Sequence, residues 1–154
     1  MGNVAYRNDE GAVVFSKPKN PPEDEIFRNF HDAYFASDRF VTRIGGKRSA
    51  YLRLFPYKCY WSSCFFCTIN STHLYDYRAG MEKYVSACVD FIGKYGLEYV
   101  FFGDEAIRAE DILLFAKTLL KRKIRVIYRF RTRFDEAYDD GACEILARSG
   151  ARYC

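Results

Sequence analysis

No apolar run in this 154-residue chain approaches the roughly 18 residues that a membrane-spanning helix needs. The opening "MGNVAYRNDEG" lacks a basic segment followed by a hydrophobic one, so a secretory signal is not expected. Gly2 follows Met1, but Tyr6 occupies the place where N-myristoylation wants Ser or Thr. These absences predict a cytoplasmic protein with no membrane partner. In that reducing compartment six cysteines are not expected to pair into a disulfide-held fold. Charge of one sign is scarce as well: 24 Lys and Arg stand against 20 Asp and Glu, a net +4. The one basic cluster, "KRKIR" (Lys121 to Arg125), permits a nucleic-acid partner and equally suits a solvated helix end. Proline is rare too, and three of the four lie in "SKPKNPPEDE" (Ser16 to Glu25), which reads as an irregular arm.

What the chain does have is an apolar content of 49% and a charged content of 29%, ordinary for a globular protein. Its length suits one domain with a real core. Aromatics are abundant, with 14 Phe and 13 Tyr. They imply a well-filled interior, or one that lacks some of its packing partners.

After the arm, "DEIFRNFHDAYFASDRF" carries Ile26, Phe27, Phe30, Ala33 and Tyr34 at helical spacing and predicts a short helix; "RIGGKRS" predicts a turn. Residues 1–49 are thus an N-terminal arm with a short helix, and 50–154 are the core. There "AYLRLF" (Ala50 to Phe55) reads as a strand stopped by Pro56. "MEKYVSACVDFIGKYG" sets Met81, Tyr84, Val85, Cys88, Val89, Phe91 and Ile92 on one side of a helix capped by Gly96. "LEYVFF" (Leu97 to Phe102) is a nearly continuous apolar strand, as in a parallel sheet covered on both faces. The unit recurs: helix "AEDILLFAKTLLKRK", strand "IRVIYRF" (Ile124 to Phe130), helix "DDGACEILARSG", strand "ARYC". Strand starts at Leu97, Ile124 and Ala151 fall 27 residues apart, the rhythm of an α/β chain of β/α units.

In such a fold chemistry gathers at the C-terminal ends of the strands. Three stretches fall there. "CYWSSCFFC" places Cys59, Cys64 and Cys67 in one loop without periodicity. Their thiolates could converge on a metal or an iron–sulfur cluster, or share a zinc ion with His73 as fourth ligand. They could also be three small hydrophobes brought close by chance. By contrast Cys88 and Cys143 fall among apolar helix positions and are expected in the core. "FFGDEA" puts Gly103, where a ligand can approach the backbone, beside Asp104 and Glu105, which can accept hydrogen bonds from an ammonium group. The same letters also suit an acidic turn before a helix. "YRFRTRF" alternates Arg129, Arg131 and Arg133, either to hold a carboxylate or phosphate or to pair with Asp104, Glu105 or Asp135.

Together these residues resemble the radical S-adenosylmethionine (radical SAM) superfamily, whose members are built on a partial or complete β/α barrel. In that family a three-cysteine loop after the first strand holds a [4Fe-4S] cluster, and S-adenosylmethionine chelates the iron no cysteine holds. The resemblance implies Cys59, Cys64 and Cys67 as cluster ligands, with one residue more in "YWSS" than the commonest family spacing. It implies Phe66, immediately before the third cysteine, against the adenine. Gly103, Asp104 and Glu105 would receive the methionine amino group, Asp104 standing where the family has a second glycine. The run from "GDEAI" to "RTRFD" most resembles the branch whose members often carry an N-terminal cobalamin-binding domain. The residues before the core are too few for that domain, and cobalamin is not expected.

The resemblance covers Tyr51 to Cys154 and reaches only a fourth strand. It therefore implies a truncated barrel of about four parallel strands with intervening helices, completed by a partner chain or a missing C-terminal half. The implied activity is reductive cleavage of S-adenosylmethionine to a 5′-deoxyadenosyl radical acting on an unknown substrate. A reducing donor such as ferredoxin or flavodoxin would supply the electron. The alternatives are a small zinc-binding structural or interaction protein, or an inactive truncated remnant.

Overall fold

The computed structural model describes residues 5–15, 38–54, 59–61, 63–67 and 80–153. The predicted helix at Asp24 to Phe40 lies outside them except for a 3-10 turn at Asp38–Phe40, and His73 and Pro56 lie outside them altogether. An antiparallel pair opens the described chain, β1 (Ala5–Arg7) with β2 (Val13–Phe15). Its loop is closed by Asn8, whose Oδ1 accepts from Ala12 N at 2.9 Å, and by Gly11 at φ +78°. This hairpin stands where the sequence reading expected only an arm.

The core is a five-stranded mixed sheet ordered β3 (Val41–Ile44), β4 (Lys47–Leu52), β5 (Tyr99–Phe102), β6 (Ile127–Arg129) and β7 (Ala151–Tyr153). β4 to β7 run parallel, joined in turn by helices α1 (Met81–Tyr95), α2 (Ala109–Arg122) and α3 (Asp140–Ser149). The predicted alternation of four strands and three helices is therefore present. The addition is β3, which pairs antiparallel with β4 across Gly45 and Gly46, both at positive φ. The predicted "RIGGKRS" turn is thus the tip of a hairpin, and this pairing starts the first parallel strand at Lys47 rather than Ala50.

β5 and β6 begin later than predicted, and helix caps take the first residue of each predicted run, Leu97 and Ile124. Leu97 N donates to Ile92 O at 3.0 Å and Ile124 N to Leu119 O at 3.1 Å, closing α1 and α2 on left-handed Gly96 and Lys123. Just after the first cap the chain joins the sheet, Glu98 N donating to Arg48 O of β4 and Glu98 O accepting from Ile127 N of β6.

All seven apolar positions predicted for α1, from Met81 to Ile92, are buried. With Val100 and Phe102 of β5 they form one core, together with Phe115 and Leu119 of α2 and Tyr128 of β6. Phe102, Phe115 and Tyr128 meet edge-on, at centroid separations of 5.0, 5.1 and 6.3 Å. Such contacts add to area burial. α1 packs on α2 and α2 on α3, so the three helices share one face of the sheet. The other face carries half-buried Tyr99, Phe101 and Ile127 and exposed Tyr51 and Arg129. Among the described residues the sheet is thus covered on one face, not on both as the apolar run of β5 predicted. Nor is any described helix long and apolar enough to cross a membrane.

Candidate functional site

The C-terminal ends of β4 and β5 are bound to each other by the residues that follow them. Gly103 N donates to Leu52 O and Leu54 N to the Asp104 carboxylate, both at 2.8 Å. Arg53 pairs with Glu105 at 2.6 Å, and Tyr84 of α1 donates its hydroxyl to Arg53 O, also at 2.6 Å. β6 joins the same edge through Arg131, which donates to the backbone carbonyls of Asp104 (3.1 Å) and Gly103 (3.2 Å). Ile107 N returns a bond to Arg131 O at 2.8 Å.

This lacing separates the two acids. Asp104 is fully buried and accepts from the backbone just after the neighbouring strand β4. Glu105 keeps about a third of its side chain in solvent (32%) beside Arg53 (30%). Arg53 Nε is buried and has no hydrogen-bond partner among the described residues. Gly103 is buried beneath the ring of Tyr51: a Cβ there would stand 2.2 Å from the ring. Its missing side chain therefore makes room for Tyr51, and that ring is itself 59% exposed.

The cysteine loop leaves the end of β4. Cys59, Cys64 and Cys67 are half-buried and none forms a disulfide. Cys67 N donates to Cys64 O at 3.1 Å, closing a tight turn that pushes Phe65 and Phe66 into solvent. The aromatic residues of the loop rest on arginines from the neighbouring strand ends. Arg133, after β6, lies 3.2 Å from the centroid of the Trp61 ring, and Arg108, after β5, lies 5.6 Å from that of Tyr60. A contact of this kind contributes about 0.5–1 kcal/mol at exposed sites. Burial raises the Tyr60 hydroxyl above its ordinary pKa, and the Asp135 carboxylate adds to that.

Three thiols in one loop are the soft donors that an iron–sulfur or zinc centre takes. In kind and in position they fit such a centre. They are not gathered, however: among the described residues no three His, Cys, Asp or Glu side chains lie close enough to hold a metal ion. The loop must draw together to load one.

The remaining cysteines divide. Cys88 is in the core as predicted, its thiol pushed well up by burial and by the Asp104 carboxylate. Cys143 is exposed, a correction to its expected burial: α3 turns Ala142 and Leu146 inward and leaves Cys143 on the outer side. The alternating arginines do not act as a set. Only Arg129 lies within β6, over Phe101 at 5.6 Å, while Arg131 takes backbone carbonyls and Arg133 takes Trp61. In the basic cluster, Arg122 is spent on Asp90 and Ser86 of α1. Sequence reasoning passed over Tyr51, Arg53 and Arg108. Arg53 carried a signal: a charged residue inside the otherwise apolar run "AYLRLF", three positions before Pro56. Compared with known protein families, with curated proteins and with solved structures, the chain has no match in any of the three.

Proposed function

We propose that this chain is a radical SAM protein in which Cys59, Cys64 and Cys67 ligate a [4Fe-4S] cluster and the turn after β5 receives S-adenosylmethionine. One observation carries the reading. The cysteine loop and the Gly103–Glu105 turn emerge side by side from parallel neighbours, bound together by Leu54–Asp104 and Arg53–Glu105. A sheet covered by helices on one face agrees with a partial β/α barrel whose other face looks into the barrel.

Within this reading the residues have distinct tasks. Glu105 is the acid with solvent access, so recognition of the methionine amino group falls to it. Asp104 fixes the strand ends and sets where Glu105 stands. Anything that reaches the Gly103 backbone does so after the Tyr51 ring turns aside. Phe66 is exposed on the loop and is available to pack on an adenine. When bound, a cluster of this type supplies a low-potential electron for splitting S-adenosylmethionine into methionine and a 5′-deoxyadenosyl radical. The protein contributes ligands, orientation and exclusion of water.

Anaerobic reconstitution with iron and sulfide tests the proposal. Uptake of about four irons per chain with a broad brown absorbance is expected, together with 5′-deoxyadenosine release on reduction with S-adenosylmethionine. Cys64→Ala should abolish both. Failure to take up iron, or stoichiometric colourless zinc held by the same thiols, overturns it.

A further inference from the structure

The half of the cysteine loop between Cys59 and Cys64 is held from outside the loop. Trp61, the only tryptophan in the chain, lies under Arg133, and Tyr60 lies under Arg108. The segments bearing these arginines are themselves tied together. Ile107 N donates to Arg131 O at 2.8 Å, and Thr132 Oγ1 donates to Ile107 O at 2.9 Å. Thr132 Oγ1 also meets the hydroxyl of Tyr138. The arginines therefore project from a braced frame at the ends of β5 and β6. A planar guanidinium stacks on an indole over its whole face, which an ammonium does less well.

We infer that Arg133, seconded by Arg108, is a positioning residue for the cysteine loop. By holding Trp61 and Tyr60 on the strand ends, the two guanidiniums fix where the Cys59 and Cys64 thiols start when the loop closes on a metal centre. The identity of that centre rests on the radical SAM reading. The contacts themselves do not.

The test uses the full chain and the fluorescence of Trp61. In the metal-free protein, Arg133→Ala should shift Trp61 emission to the red and raise the rate of Cys59 and Cys64 alkylation about two- to fivefold, the loss of one such contact. Arg133→Lys should restore part of both. Trp61→Leu should raise alkylation to the same extent, and combining it with Arg133→Ala should add nothing further, because both remove one interaction. After iron–sulfide reconstitution, Arg133→Ala should retain less iron and broaden the electron paramagnetic resonance signal of the reduced cluster. Wild-type emission and alkylation in Arg133→Ala, or additive effects in the double variant, overturn the inference. If the wild-type chain takes up no iron, the radical SAM reading falls, while emission and alkylation still decide the role of Arg133.

Discussion

Asp104 and Glu105 are neighbours with the same charge and opposite situations, and that contrast governs what their substitution does. The Asp104 carboxylate accepts from Leu54 N at 2.8 Å in a site with no solvent exposure. Asp104→Ala leaves a buried N–H without its acceptor, a loss of about 1–3 kcal/mol. Asp104→Asn retains an oxygen for that N–H and should cost clearly less. Urea midpoints of the two variants check this ordering, and equal losses would show that Leu54 is not the partner that matters. Glu105 shares its charge with half-exposed Arg53, and pairs of that kind contribute little to stability. The sequence showed that two acids follow the strand but not which of them faces inward. That depends on Leu54 offering its N–H from just beyond the end of β4, some fifty residues away in the chain, a contact without any local signature.

At the scale of the elements, helix ends decide where strands begin. α1, α2 and α3 all finish on a left-handed residue: Gly96 at φ +57°, Lys123 at +56° and Gly150 at +112°. Gly150 is the most constrained. A Cβ there would lie 2.0 Å from the backbone carbonyl oxygen of Val126, and its φ is outside what an L residue adopts without strain. Gly150→Ala should therefore destabilise the protein by about 2 kcal/mol or more, through both the clash and the backbone. Chemical denaturation measures the loss; a variant as stable as wild type would mean that α3 and β7 can part from β6 at little cost. Element type was readable wherever a 3.6-residue period ran through a helix with a capping glycine at its end, as in α1. The β3–β4 hairpin was less readable. Ile44 and Arg43 are both exposed, so no alternation marks β3 as a strand, and its identity comes from pairing with β4. The cysteine loop was legible as a donor set because its letters are unusual. Its clamp was not, since Arg108 and Arg133 reach it from different strand ends.

Across the described residues, part of the aromatic excess becomes a buried cluster, and that cluster makes the fold sensitive to alkali. Tyr128 lies fully buried among Phe102, Phe115 and Phe130, and burial pushes its hydroxyl up to about 12. The Cys88 thiol, also fully buried, is raised in the same direction, by burial first and Asp104 second. Both groups hold their protons in the folded chain at pH values where the unfolded chain has released them. Folded protein then binds more protons than unfolded, so stability must fall as pH rises. The contribution of each group is fully present below its unfolded pKa, about 8.5 for a cysteine and about 10 for a tyrosine, and is lost as pH rises toward the folded value. Thermal melts should accordingly fall in two overlapping stages, the first above about pH 8.5 from Cys88 and the second above about pH 10 from Tyr128. Tyr128→Phe separates them. Ser149 still donates to Leu146 O at 2.8 Å in that variant, so no donor is orphaned and the chain should fold. Its melting temperature should follow wild type up to about pH 10 and decline less steeply beyond it. Parallel curves across the whole range would mean that Tyr128 ionises as easily in the folded protein as in the unfolded chain, and that the aromatic cluster is open to water.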